Sequence, residues 1–360
     1  MVRRGDSAPR VGIHIHLHIG HHFFGAGNAG DDLMLAGYLR MAGRASVPSR
    51  MTCCIPFDRA SQERRFPEVR WLPYTPDNRE ACIRECDAWL GLGGSPFQTD
   101  SGPWSFDHLA GELELCRGFG KPMFFLGVGV NDEAALGRPE ASELVRYALR
   151  IWTRDQASAD GLAALGGGGR IEAGADLAHI ILSSLQAGEA RRNKTGFVLH
   201  FENPDSFSAK AVAAAIEQRG GADACAWIAQ EARRLPGSER DLWERFPGDP
   251  RTRPPLRVPD YADGSLGDLI LPRNDVSFLV TSRYHAALIG AWMGCAVLIV
   301  ERNKKMRNLG RQMGTESVAD VRDEAVLLQA LSRCRPVSSG LRRELSHRAE
   351  AMCLDFLSGL

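Results

Sequence analysis

Short apolar runs alternate with longer helix-patterned stretches along most of this chain, and that alternation constrains its fold more than any other feature. Residues 11–19 alternate Ile or Leu with His and predict a strand. The glycine-rich turn Gly25-Ala26-Gly27-Asn28-Ala29-Gly30 leads into a helix predicted over 31–41, with Asp31 and Asp32 in the first turn, where the helix dipole favours acids. Further strands are predicted at 50–55, 87–92, 122–128 and 151–153, the last followed by a helix over 155–165. Such alternation implies a parallel sheet covered on both faces. The polar stretch 186–194 interrupts the pattern as a linker. It then resumes with strands at 197–201, 225–228, 276–281 and 296–300, helices at 208–218 and 284–292, and a Pro- and Arg-rich loop at 247–259. A final amphipathic helix is predicted over 339–357.

A length of 360 residues suits two domains better than one or three. The expectation is an α/β protein of two Rossmann-like domains facing a central cleft, at 1–187 and 195–335, with a C-terminal helix in 336–360 packed on them. Ligands of such folds bind in the cleft, at the carboxyl ends of the strands.

Lys+Arg and Asp+Glu both number 44, so the chain has no bulk charge with which to hold nucleic acid. Nine cysteines, an odd number with no Cys-x-x-Cys pair, suit a reducing, cytoplasmic setting with most thiols as small core residues. The charged start Met1-Val2-Arg3-Arg4 does not read as a signal peptide, and no apolar run is long enough to span a bilayer. A peripheral membrane contact stays open.

Four segments at strand-to-helix junctions carry candidate chemistry. In Gly27-Asn28-Ala29-Gly30-Asp31-Asp32, glycine lets the backbone approach a ligand and the helix start offers free N–H groups, while Asp31 and Asp32 read as a base, as hydroxyl-binding groups or as caps. Gly93-Gly94, ending the strand at 87–92, is either a ligand floor or a plain turn. Arg154 ends the strand at 151–153 and either enters the cleft or pairs with Asp155. Ser282-Arg283-Tyr284-His285 is the strongest: a buried strand delivers an Arg that can fork onto a carboxylate or phosphate, and a His that can move a proton. Lys304 and Lys305 follow the next strand, as further cations for the cleft or as a solvated helix start.

His14, His16 and His18 share one strand face, with His21 and His22 beyond. Two His at this spacing could ligate zinc, but no Cys or acid completes a set, so the reading is packed or hydrogen-bonded imidazoles and no metal. His18, nearest the strand exit, is the one expected to reach the cleft.

Taken in order, Gly27-Asn28-Ala29-Gly30-Asp31-Asp32, Leu90-Gly91-Leu92-Gly93-Gly94, Phe125-Leu126-Gly127-Val128-Gly129, Arg154-Asp155-Gln156-Ala157-Ser158 and Ser282-Arg283-Tyr284-His285 resemble the polysaccharide pyruvyl transferase family, as does a Lys at 304 or 305. The likeness covers roughly residues 20 to 310. It departs at Leu177, where a Pro is expected after Asp176, and in the His-rich first strand. The resemblance implies a fold like that of the GT-B type glycosyltransferases. It implies transfer of pyruvate from phosphoenolpyruvate to a sugar of a cell-surface or exopolysaccharide precursor, lipid-linked or nucleotide-linked, as a ketal with release of phosphate. No metal or redox cofactor is implied. On this reading Arg283, Arg154 and Lys304 or Lys305 clamp the donor, and Asn28, Gly30, Gly93, Gly94 and Ser282 complete the substrate contacts. His285 is the acid or protonates the leaving phosphate, and Asp31 or Asp32 takes a proton from the sugar hydroxyl. Two alternatives use the same cleft: a glycosyltransferase acting on a nucleotide sugar, and a non-catalytic saccharide-binding protein.

Overall fold

The computed structural model describes residues 15–20, 23–47, 49–99, 102–166, 170–184, 193–246, 253–262, 264–270 and 274–360. The linker at 186–194 falls almost wholly outside them, as do His14, His21, His22 and part of the 247–259 loop.

The first half is a seven-stranded sheet. Its strands are β1 (Ile15–Ile19), β2 (Ser49–Ile55), β3 (Val69–Pro73), β4 (Ala88–Leu92), β5 (Met123–Val128), β6 (Arg150–Thr153) and β7 (Arg170–Ala173), in the order β3-β2-β1-β4-β5-β6-β7. The second half holds six strands: β8 (Lys194–Val198), β9 (Cys225–Ile228), β10 (Leu256–Arg257), β11 (Val276–Thr281), β12 (Ala296–Val300) and β13 (Ser317–Val318), in the order β10-β9-β8-β11-β12-β13. Every ladder in both sheets is parallel. The order reverses direction beside β1 in one sheet and beside β8 in the other, and such switch points open crevices at the carboxyl edge.

β4, β5 and β12 are apolar along their whole length and buried at every residue, because helices cover both of their faces. The helix Ala29–Ala45 starts where Asn28 caps it, its Oδ1 accepting from the Gly30 N–H at 3.0 Å. That helix lies between the halves. Leu33, Met34 and Tyr38 join a single core with Leu288, Met306 and Met352, so the two sheets do not have separate interiors on this side.

The last helix, Ser339–Ser358, returns from the second half to the first. Its Phe356 is buried among the rings of Tyr38, Phe124 and Trp152, with centroids 6.2, 5.5 and 5.7 Å away. Burying one such side chain stabilises by about 1.5–3 kcal/mol. The carboxylate of Asp355 accepts from Trp152 Nε1 at 3.0 Å and from Arg150. Among the described residues, no helix is long and apolar enough to cross a membrane.

The strand expected at 197–201 ends at Val198, where its ladder with β11 stops. Leu199 and His200 leave the sheet as a loop, which places His200 beyond the carboxyl edge rather than within it.

Candidate active site

A cavity of about 540 Å³ lies between the carboxyl edges of the two sheets and is lined from both. From the first half come Asn28 and Asp31, Gly94 and Ser95 after β4, and Arg154 after β6. From the second come His200 after β8, Glu231, Arg283 and His285 after β11, and Arg302 and Lys305 after β12. Among the described residues the lining holds five cations, Arg154, Arg233, Arg283, Arg302 and Lys305, against three carboxylates, Asp31, Glu202 and Glu231. The charges of Arg283, Arg302 and Lys305 converge on His200. Burial, followed by these three cations, holds its imidazole far below the usual range, so it is neutral. Arg302 is paired with Glu202 and Arg283 with Glu231 and Glu239, so an anion placed there shares these cations with carboxylates of the lining.

Arg154 is 1% exposed. Its Nη2 donates to Ser95 Oγ at 2.7 Å, its Cζ sits 4.2 Å from the centre of the Tyr284 ring, and Nε is 3.7 Å from Asp155. Both sequence-level options therefore hold together: Arg154 borders the cleft and also faces Asp155. Lys305 Nζ is 5.9 Å from the same ring, so Tyr284 holds two cations by cation–π attraction.

His285 is held by a residue that the motif reading did not single out. Asp176 is wholly buried, accepts from the Ala178 N–H at 2.9 Å, and lies 3.4 Å from His285 Nε2 and 4.0 Å from Arg154 Nη1. Burial alone would raise its carboxyl. His285, Arg154 and the Ala178 N–H outweigh that and hold it at about 2. A carboxylate behind an imidazole orients it and fixes which ring nitrogen faces it. The signals in the sequence are a lone acid within the small and apolar stretch Gly174-Ala175-Asp176-Leu177-Ala178 and the family likeness, which has an acid followed by Pro there.

With Nε2 turned to Asp176, the nitrogen left for chemistry is Nδ1. It rests on Gly30: a Cβ built there would lie 1.9 Å from it. Gly30 is therefore glycine because the imidazole from the other half packs against its bare backbone. Gly30→Ala must push His285 away from this position. It is expected to cut turnover by about a hundredfold, the scale of a 1 Å misplacement, with steady-state kinetics and a structure of the variant as the check.

Other expected site residues lie elsewhere. Asp32, next to Asp31, turns away from the cavity and is 1% exposed. Arg65 Nη1 reaches it at 2.5 Å and Gln62 Nε2 at 3.1 Å. Arg65 also donates to the carbonyls of Tyr261 and Gly264, so Asp32 anchors a tie between the halves. Burial pushes its carboxyl up against the pull of Arg65. Gly93 packs on the Met34 sulfur, which a Cβ would approach to 2.5 Å, and does not reach the cavity, whereas Gly94 does. Ser282 is fully buried: its hydroxyl joins the His200 N–H and C=O at 2.7 and 2.8 Å and so holds the His200 loop. Lys304 bonds the exposed Glu133 at 2.6 Å and does not line the cavity, leaving Lys305 as the lysine that does.

Arg283 lines the cavity, yet most of its fork is taken. Nε donates to Glu239 Oε1 at 2.7 Å and Nη2 to Glu231 Oε2 at 3.0 Å, leaving Nη1 for a ligand. His18 also falls short of the cavity. It is buried with Nδ1 3.0 Å from Thr52 Oγ1, which lies 3.1 Å from His16 Nε2 as well. A strand's pleat tells which face a residue takes, not whether a neighbouring strand already covers that face.

The sequence profile of the polysaccharide pyruvyl transferase family matches residues 28–256, more than half of the chain. The chain belongs to this family. No curated protein matches it in sequence. Several solved structures share its fold. The UDP-N-acetylglucosamine 2-epimerase from Rickettsia bellii superposes with a TM-score of 0.62 at 12% identity, covering 96% of this chain and 97% of that one. Anabaena Alr3699/HepE in complex with UDP-glucose gives 0.59 at 12% identity, over 96% and 100%. The UDP-GlcNAc 2-epimerase from Neisseria meningitidis bound to UDP-GlcNAc gives 0.59 at 8% identity, over 97% and 100%. At these identities the likeness shows the fold: two Rossmann-like halves of the GT-B type.

Proposed function

We propose that this pyruvyl transferase moves pyruvate from phosphoenolpyruvate to two hydroxyls of a saccharide, forming a ketal and releasing phosphate. The observation that carries the reading is the convergence of Arg154, Arg302, Lys305 and the Asp176-backed His285 on one cavity. Phosphoenolpyruvate bears a carboxylate and a phosphate, and a site with fixed cations suits both.

In this mechanism protonated His285 delivers a proton from Nδ1 to the methylene carbon, and C2 gains oxocarbenium character. One sugar hydroxyl attacks C2 and gives its proton to Asp31, which lines the same cavity. The C2–O bond to phosphate then breaks, and the second hydroxyl closes the ring. Of the two hydroxyl protons, one replaces that spent on the new methyl group and the other leaves with phosphate. The acceptor is a lipid-linked or nucleotide-linked precursor of a cell-surface polysaccharide. All nine cysteines are buried and outside disulfides, which suits a reducing, cytoplasmic compartment.

Incubation with phosphoenolpyruvate and a panel of such sugars is expected to release phosphate in step with a gain of mass on one sugar. Phosphoenolpyruvate at a hundred times its Kd is expected to stabilise the fold by about 2.7 kcal/mol in a thermal-shift assay. A second reading is favoured by the UDP-sugar complexes among the fold relatives: transfer from a nucleotide sugar. Stabilisation by UDP-sugars but not by phosphoenolpyruvate, with no phosphate release, would replace the first reading by the second.

A further inference from the structure

The cavity has two chemically different sides. The second half supplies Arg233, Arg283, Arg302 and Lys305 with the imidazoles of His200 and His285, joined by Arg154 and His108 from the first. The first half supplies Phe23 and Trp104, both only partly buried, with Gln98 and Asn131 nearby on the lining. The two rings stand 4.6 Å apart, tilted by 56°, and both line the cavity, with Phe57 5.8 Å from Phe23 behind them. Arg233 borders the same side, its Cζ 6.0 Å from the Phe23 ring and its Nε donating to Glu231 at 2.8 Å.

A three-carbon dianion has no use for an aromatic wall. It also fills only a fraction of a cavity of about 540 Å³. A pyranose ring has the matching chemistry: a C–H face to lie on an aromatic ring, and hydroxyls at its edge for carboxylates and amides. We infer that Phe23 and Trp104 form the platform on which the acceptor sugar lies, facing the cationic donor side. This rests on the reading above for its placement of the donor, but the sugar site itself does not need the transfer to occur.

The test uses the full chain and a probe panel of methyl glycosides of glucose, galactose, mannose and N-acetylglucosamine, followed by saturation-transfer NMR, with phosphoenolpyruvate titrated separately by calorimetry. At least one glycoside is expected to bind. Trp104→Ala and Phe23→Leu are each expected to weaken it by roughly tenfold, the scale of one lost aromatic contact. Trp104→Phe, which keeps a ring, is expected to retain most of the affinity, and phosphoenolpyruvate affinity is expected to stay within about twofold in all three. Glycoside binding that ignores Trp104→Ala and Phe23→Leu, or no binding by any glycoside, overturns the platform. If phosphoenolpyruvate fails to bind while glycoside affinity still tracks these two rings, the platform stands and the donor assignment falls.

Discussion

Arg283→Met is expected to destabilise the fold by about 3–5 kcal/mol, the usual result of removing one partner from a buried ion pair. The reason lies in what the guanidinium leaves behind. Glu231 has a second arginine, since Arg233 Nε donates to it at 2.8 Å. Glu239 is wholly buried, and among the described residues its carboxylate is paired with Arg283 alone. Met fills the space but leaves that charge stranded in the interior, where desolvation is uncompensated. The double variant Arg283→Met, Glu239→Gln should therefore recover most of the loss, whereas Arg283→Met, Glu231→Gln should recover little. Urea unfolding of the three variants decides this. A loss below about 1 kcal/mol, or equal recovery by both second substitutions, would mean that Glu239 does not depend on Arg283. Donor affinity is expected to fall less, because only Nη1 of Arg283 is left to meet a ligand.

Arg283 also shows how far the sequence could be read. An apolar run ending in Ser-Arg-Tyr-His announces a buried strand that delivers charge at its exit, and β11 does so with the predicted bounds. What a guanidinium meets there is set by tertiary packing. Glu239 and Glu231 lie 44 and 52 residues away, on segments with no pattern linking them to β11. Asp176 stands at a position of the family pattern, but its partner His285 appears only once β6, β7 and the helix Tyr284–Trp292 are brought together. β4, β5 and β12 were legible because burial on both faces requires an unbroken apolar run. Edge strands need no such run: β3 reads Val-Arg-Trp-Leu-Pro, β7 Arg-Ile-Glu-Ala, and β13 is two residues long. Adjacent acids were not separable either. Asp31 and Asp32 differ by about 100° around one helix, and that turn sends the first to the cavity and the second to Arg65.

His285→Gln is expected to lower kcat by about 10²–10⁴-fold, the range of general acid–base catalysis, with a much smaller effect on phosphoenolpyruvate binding. Asp176→Asn is expected to cost about 10–100-fold, because the amide keeps the shape but no longer fixes which imidazole nitrogen carries the proton. Asp176 is held at about 2, chiefly by His285 and Arg154 against the opposing pull of burial. Because its folded value is lowered from 3.8, its contribution to stability is complete above that pH and is lost only as pH falls towards 2. Asp176 therefore stays ionised throughout the neutral range, and any acidic limb in turnover belongs to another group. The decisive comparison is the double variant. If Asp176 acts only through His285, then His285→Gln with Asp176→Asn should be about as slow as His285→Gln alone. Losses that multiply would show that Asp176 serves the reaction by a separate route, through Arg154, whose Nη1 lies 4.0 Å from the same carboxylate oxygen.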